Sequence, residues 1–307
     1  NAQTGTIGIG QDALTALTTG ADNLAIGYTA LAANTTALGN LAIGRNALND
    51  LNHANSVRNL AIGAYAGDQM GTADGNLDNI FIGYSAGGGD WHASNATQYN
   101  VGIGNYVMNA VMDGALYNTA IGHNSLAGLT SGDNNVVIGK DAGDSIGSQS
   151  ECVLIGVDAG QLISHDDANG SVAIGYLAMR YNTQGAANTA IGWKSMDLID
   201  GVAADNNTAI GHSSMLSSGT SANSTASNNV AVGASSLTAI TTGNNNVAVG
   251  ASSGLSLTDG HDNVSIGNSS LASPSSVGHV VAIGKGAMGN GVATIDGTVA
   301  IGSSALK

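Results

Sequence analysis

The chain has 307 residues, a formal net charge of −14, 46 glycines, one proline and one cysteine, and only 9% of its residues are charged and 4% aromatic. The acidic balance excludes nucleic-acid binding, which needs a basic stripe, and disfavours an anionic membrane surface; without an apolar run of about 18 residues, no membrane insertion is expected. Hydrophobic content of 43% is ordinary for a folded protein, so small, regularly placed apolar residues point to stacked thin coils and not to one thick core or to disorder.

From the N-terminus, Asn1 to Gly10 has no charged start and no apolar run, so no signal peptide is expected there. At Thr6-Ile7-Gly8-Ile9-Gly10 the chain enters a five-residue phrase, which recurs as Asn23-Leu24-Ala25-Ile26-Gly27 and continues to the end. Aligned on its glycine, the phrase occurs 17 times, at Gly10, Gly27, Gly44, Gly63, Gly83, Gly104, Gly122, Gly139, Gly156, Gly175, Gly192, Gly211, Gly233, Gly250, Gly267, Gly284 and Gly302. Intervals run from 17 to 22 residues, and eight of the sixteen are 17. A fixed-period repeat decides the fold class before any other signal.

Slots are numbered here from that glycine. Slot −1 is Ile in fifteen copies and Val in two, slot −3 is β-branched or Leu, slot −2 is mostly Ala, and slot −4 is Asn in 12 of 17. Slot +3 is Ala or Ser in every copy but Val107, and slot +4 is Leu, Met or a second glycine. The alternation before the glycine has the strand period of two. Slots −3 and −1 share one face, and slots −4 and −2 the other. The glycine suggests a sharp bend, and the residues after it read as a second short strand with Ala/Ser and Leu turned inward. A polar connector such as Thr241 to Asn245 closes the repeat as a turn. No sustained helical spacing competes, and the glycines penalise helix by about 1 kcal/mol each.

Stacked as parallel strands about 4.8 Å apart, the copies predict an all-β parallel β-solenoid of 17 short coils, about 80 Å long. The Asn slot is then expected to form a ladder of side-chain amides along the axis, or to serve as a turn former before the strand. No copy carries Asp, Glu, Lys or Arg from slot −4 to the glycine. Both strand faces therefore read as buried, one inside the protomer and the other against further copies of the chain around an axis. No composition break divides residues 1 to 307, so one continuous repeat domain is expected, cut from a longer fibre. Insertions lengthen the connectors at Asp68 to Asp78, Gly88 to Tyr99 and Leu216 to Asn228; in repeat proteins such loops are often the binding face.

Ser171-Val172-Ala173-Ile174-Gly175 and Thr298-Val299-Ala300-Ile301-Gly302 resemble the head repeats of trimeric autotransporter adhesins, the YadA-like left-handed parallel β-roll. Similar repeats occur in phage tail fibres and other trimeric bacterial surface fibres. The resemblance covers the whole chain, although the family's head repeats are shorter and no coiled-coil stalk or membrane-anchor barrel is expected within residues 1 to 307. It implies a left-handed β-roll, a homotrimer, and an extracellular place on a cell surface or virion fibre. It also implies attachment to a glycan or protein of a host cell or other surface.

Chemistry-bearing residues are sparse. Seven histidines are scattered without metal-ligand spacing, Ser is too abundant to argue a triad, and no helix follows any glycine run that could cradle phosphate. Carboxylates gather in connectors, as at Asp74 to Asp78, Asp166-Asp167 and Asp259-Gly260-His261-Asp262, but no calcium-binding repeat or EF-hand loop is present. No enzyme activity, cofactor or metal is expected. Cys152 stands in an Asn slot and reads as a buried structural thiol. Candidate contact residues are Trp91, His92 and Tyr99 in one lengthened connector, and Tyr28, Tyr84, Tyr176 and Trp193 in slot +1. Aromatics on an exposed ladder suit sugar rings or a protein receptor. An ice-binding or other surface-matching solenoid is the alternative, weakened because no fixed Thr-x-Thr column persists.

Overall fold

The computed structural model describes residues 4–71, 75–91, 95–165, 168–199, 204–217, 224–290 and 296–307. They form two units, Asn1–Cys152 and Val153–Lys307. In each copy the three residues before the glycine form a strand. The first unit has β1 Ile7–Ile9, β2 Leu24–Ile26, β3 Leu41–Ile43, β4 Leu60–Ile62, β5 Ile80–Ile82, β6 Val101–Ile103, β7 Thr119–Ile121 and β8 Val136–Ile138. The second has β9 Val153–Ile155, β10 Val172–Ile174, β11 Thr189–Ile191, β12 Thr208–Ile210, β13 Val230–Val232, β14 Val247–Val249, β15 Val264–Ile266, β16 Val281–Ile283 and β17 Val299–Ile301. Within each unit successive strands pair in parallel with like slots aligned, as in Leu24↔Leu41 and Ala25↔Ala42, or Val247↔Val264 and Ala248↔Ser265. Each unit is thus an all-β parallel solenoid, and among the described residues no helix forms.

Both strand faces are apolar in sequence, but only one is inside. The middle residue of each strand, slot −2, is buried from β2 to β17, while slots −3 and −1 are half-buried or exposed. The −4 asparagines share the inner face and are 0 to 1% exposed. Their amides form the expected ladder. Asn118 donates from both its backbone N and its Nδ2 to Oδ1 of Asn100, each at 3.0 Å, and Nδ2 also donates to the Gly132 carbonyl. Asn135 repeats the arrangement on Asn118, and Asn207, Asn229, Asn246 and Asn263 repeat it in the second unit. Two replacements that follow an Asn keep the backbone bond: Cys152 N donates to Asn135 Oδ1, and Val280 N to Asn263 Oδ1. Cys152 is buried, as its slot requires.

The bend at the glycine also behaves as the sequence suggests. These glycines have φ between +126° and +145°. A Cβ on one of them would come within 3.0 Å of the carbonyl of the next coil's glycine, so steric approach as well as φ fixes the residue.

The second strand read after the glycine does not form. Slots +2 and +4 both take left-handed φ, as at Thr29 (52°) and Leu31 (49°) or Ser235 (56°) and Leu237 (46°), and the backbone turns there. Regular strand geometry cannot include these angles. The side chains at +3 and +4 still enter the core, as expected, with Ala30, Leu31, Ala47 and Leu48 fully buried.

A further buried row, in slot +7, escaped the sequence reading: Leu51, Met70, Leu129 and Ile146 in the first unit, and Ile163, Ile199, Ile240 and Leu257 in the second. Asn34 occupies the same slot and satisfies itself locally, accepting from Ala37 N at 2.9 Å. Core volume is conserved across slots. The copies with a large −2 residue, Phe81, Val137 and Leu154, all have glycine at +4, Gly87, Gly143 and Gly160, although Gly67 and Gly254 accompany an Ala at −2. A Cβ at Gly87 would lie 2.8 Å from the Phe81 ring, and one at Gly102, in the next coil's −2 slot, 2.9 Å from it.

Replacing one amide should be costly, because both neighbouring coils lose partners. Asn118→Ala is expected to destabilise the protein by about 1–3 kcal/mol, leaving donors at Asn135 without an acceptor. Denaturant unfolding followed by circular dichroism measures it, with Asn268→Ala, an exposed slot +1 change to the residue other coils carry there, as the near-neutral control.

Candidate functional site

Identical coils would present identical surfaces, so departures outside the core mark the sites. Slots +1 and +2 follow the bend and point outward, and in the first unit they build one zigzag column. Arg45 lies 5.7 Å from the Tyr28 ring and 5.8 Å from that of Tyr65. Tyr65 meets Tyr84 edge to face at 5.7 Å, Tyr84 meets Tyr106 at 5.4 Å, and Tyr106 meets His123 at 5.8 Å. The sequence reading of slot +1 included Tyr28 and Tyr84 but missed Tyr65 and Tyr106, which stand in slot +2 of alternate coils. Tyr28 and Tyr84 are 46% and 44% exposed. Edge-to-face pairing and the Arg45 contacts hold these rings in place while their bodies stay accessible.

In the second unit Tyr176, Trp193 and His212 occupy slot +1 of consecutive coils. Trp193 and His212 stack at 4.6 Å and 9°, Tyr176 lies 6.4 Å from Trp193, and Lys194 Nζ sits 4.7 Å from the Trp193 ring. A cation beside exposed stacked rings offers apolar faces and a hydrogen-bond donor together.

A third group lies in slot −5, where the residue before the Asn ladder takes left-handed φ in every coil, as at Arg58, Asp78, Tyr99 and Tyr117. Tyr99 and Tyr117 stack at 4.8 Å and 4°, and both are exposed. Next to them Arg58 grips Asp78 with two hydrogen bonds, Nε to Oδ1 at 2.7 Å and a terminal nitrogen to Oδ2 at 2.6 Å.

The lengthened connector with Trp91 is arranged differently. Trp91 is 1% exposed and packs edge to face on Phe81 at 5.5 Å, so its indole fills the core and offers no open face. His92 lies outside the described residues. Of that connector's three candidates, Tyr99 alone is seen on the surface.

Titration is perturbed away from the aromatic columns. Burial, reinforced by the charge of Asp50, pushes the Asp68 carboxyl up to about 6 from its ordinary 3.8. Its Oδ1 is buried without a hydrogen bond, beside the Gln69 carbonyl that accepts from Trp91 N. Burial also raises Asp197, opposed by Arg180, which donates to its two oxygens at 2.9 and 3.2 Å.

No family model, curated protein or solved structure matches the chain.

The Asp68 geometry gives stability a definite pH dependence. Its folded pKa lies above the unfolded value, so the native state holds the proton more tightly and loses stability as pH rises from about 4 through about 6. Asp68→Asn should remove this loss, raising the melting temperature at pH 7 more than at pH 4.5. Thermal melts of both proteins across that range check it.

Proposed function

We propose that the chain is a non-enzymatic structural and adhesive fibre segment, working outside a cell or virion as a homotrimer of left-handed parallel β-rolls. One observation carries the reading. Outward slots −3 and −1 hold Val, Ile, Leu or Thr in all 17 copies and never a charge, although the core is already filled from the other strand face. Ile103, Ile121, Ile210 and Ile266 are left 36 to 39% exposed within the body of their units. An uninterrupted apolar face of this kind is buried between chains in stable assemblies. Association about a closed axis puts like coil against like coil and ends the self-complementary surface. The resemblance to trimeric adhesin heads favours three chains.

Adhesion is assigned to the aromatic columns. Tyr28, Tyr84, Tyr99, Tyr176 and Trp193 are exposed, held by ring or cation contacts, and repeated along the coils. Such platforms suit sugar rings of a surface glycan or an apolar patch of a receptor. Repetition within the chain and among its copies makes weak contacts act together. The ice-binding alternative gains little, since only Thr119, Thr189 and Thr208 bring threonine into the outward strand slots.

Two outcomes test the reading. Light scattering at micromolar protein should give a mass near three chains, and Ile191→Asp, which would bury unpaired charges in the interface at several kcal/mol each, should dissociate it. A stable wild-type monomer would remove the trimer. Separately, Tyr176→Ala with Trp193→Ala should cut binding to target cells or a glycan array about tenfold or more while the circular dichroism spectrum stays unchanged. Unaltered binding would move the contact surface to the Tyr28 to His123 column.

A further inference from the structure

Coil stacking brings together two histidines that the sequence keeps 18 residues apart, His261 and His279. Asp262 and His279 stand in slot −5 of successive coils, each with φ 58°, and His261 stands in slot −6. His279 N donates to the His261 carbonyl at 3.1 Å, which locks the two segments side by side. His261 Nδ1 is 3.0 Å from Asp262 Oδ2, and His279 Nε2 is 3.8 Å from the same oxygen. The two imidazoles meet edge to face at 5.3 Å. One ligand atom from each residue lies within 4.8 Å of the other two, all on exposed side chains.

Slot −6 makes this arrangement unusual. In four other coils a slot −6 Asp or Asn accepts from the slot −6 N–H of the coil before: Asp133 from Leu116, Asp205 from Ala186, Asn244 from Ser227 and Asp296 from Gly278. His261 instead turns its ring toward Asp262. The next coil has glycine at this slot, and a Cβ on Gly278 would crowd the ring at 3.0 to 3.4 Å. Asn245 Nδ2 donates to Asp262 Oδ1 at 3.1 Å, orienting the carboxylate and leaving Oδ2 toward the histidines.

We propose that His261, Asp262 and His279 form a binding site for a divalent transition-metal ion of the zinc class. Two imidazole nitrogens and one carboxylate oxygen suit Zn²⁺, Co²⁺ or Ni²⁺ and disfavour Ca²⁺ or Mg²⁺, which prefer oxygen alone. Zn–N and Zn–O bonds of about 2.0–2.2 Å place tetrahedral ligand atoms about 3.3 Å apart. The present separations reach that by small rotations of exposed side chains. Asn245 acts as the outer partner that fixes the carboxylate. Three protein ligands leave a position for water, and the ion pins the coil of β15 to that of β16. The site is independent of the fibre reading, since it needs only one chain.

The test uses the whole chain at pH 7.5 with Zn²⁺, and with Co²⁺ as a spectroscopic probe. The comparison variant is His261→Asn with His279→Asn, which installs the residues that the same slots already hold at Asn244, one coil earlier, and at Asn245, two coils earlier, and so keeps the fold. Calorimetric titration should give one zinc ion per chain for the wild type, with affinity lower by about a hundredfold or more in the variant. The Co²⁺ form should show the visible absorption of a four-coordinate ion, lost in the variant. His53→Ala with His165→Ala, two histidines of other connectors, should bind as the wild type does. Zinc binding unchanged by the double Asn variant, or absent from the wild type at millimolar ion, would overturn the proposal.

Discussion

The buried amide ladder is the interaction on which the rest of each solenoid depends. Backbone hydrogen bonds join each coil to the next, in the three-residue strands and in the turns around them, as in Thr29 N to Gln11 O and Leu31 N to Ala47 O. The slot −4 asparagine adds to that count in the 12 coils that carry it. Its Oδ1 takes two protons from the coil above, and its Nδ2 reaches both the ladder and a connector carbonyl. An amide in a dry interior is costly unless fully paired and strongly orienting when it is. Slipping one coil by a single residue would leave these groups unpaired and turn the apolar set to the wrong face. The glycine four residues on works by contact: successive glycines approach so closely that no side chain can stand between them.

Given that register, the core is a problem of volume along short rows. Slots −2, +3, +4 and +7 face one another inside each coil, and neighbouring coils share the same space. Phe81 sits where other coils place Ala because Gly87 and Gly102 yield room on two sides, and Trp91 packs edge to face on its ring. Leu154 is matched in the same way by Gly160. Close packing makes these exchanges compensatory, since an added group needs an equal one removed nearby. Left-handed φ at +2 and +4 is the strain accepted for turning the chain so tightly, and repeated stacking holds it.

Outside the core the constraint relaxes, and chemical variety collects there. Slots −6, −5, +1 and +2 carry the aromatic columns, the Arg58–Asp78 pair and the His261, Asp262 and His279 cluster. Residues at one outward slot recur one coil apart, so even single-copy side chains acquire neighbours of their own kind. That geometry can turn scattered residues into surfaces, and it leaves the apolar strand face as the part of each unit that sameness has kept free of charge.

Sequence alone determined the coil. The phrase ending in glycine specifies strand, bend and repeat length, because its alternation and its glycine have local physical causes, and its uncharged slots predict an assembling face. The Asn ladder was legible for the same reason, since stacking any parallel repeat puts like on like. Tertiary structure decided what depends on angles and distances between coils. It replaced the second strand with a left-handed turn, showed that the Ala and Asn face is the inner one, and revealed the slot +7 row whose spacing the connectors obscure. It put Trp91 in the core against Phe81, although its place in a lengthened connector marked it as a contact residue. It joined Tyr65 and Tyr106 to Tyr84 across two slots, and His261 to His279 across a coil. Those pairings escape any linear reading, because variable connectors shift the residue count while hydrogen bonding between coils restores the register in space.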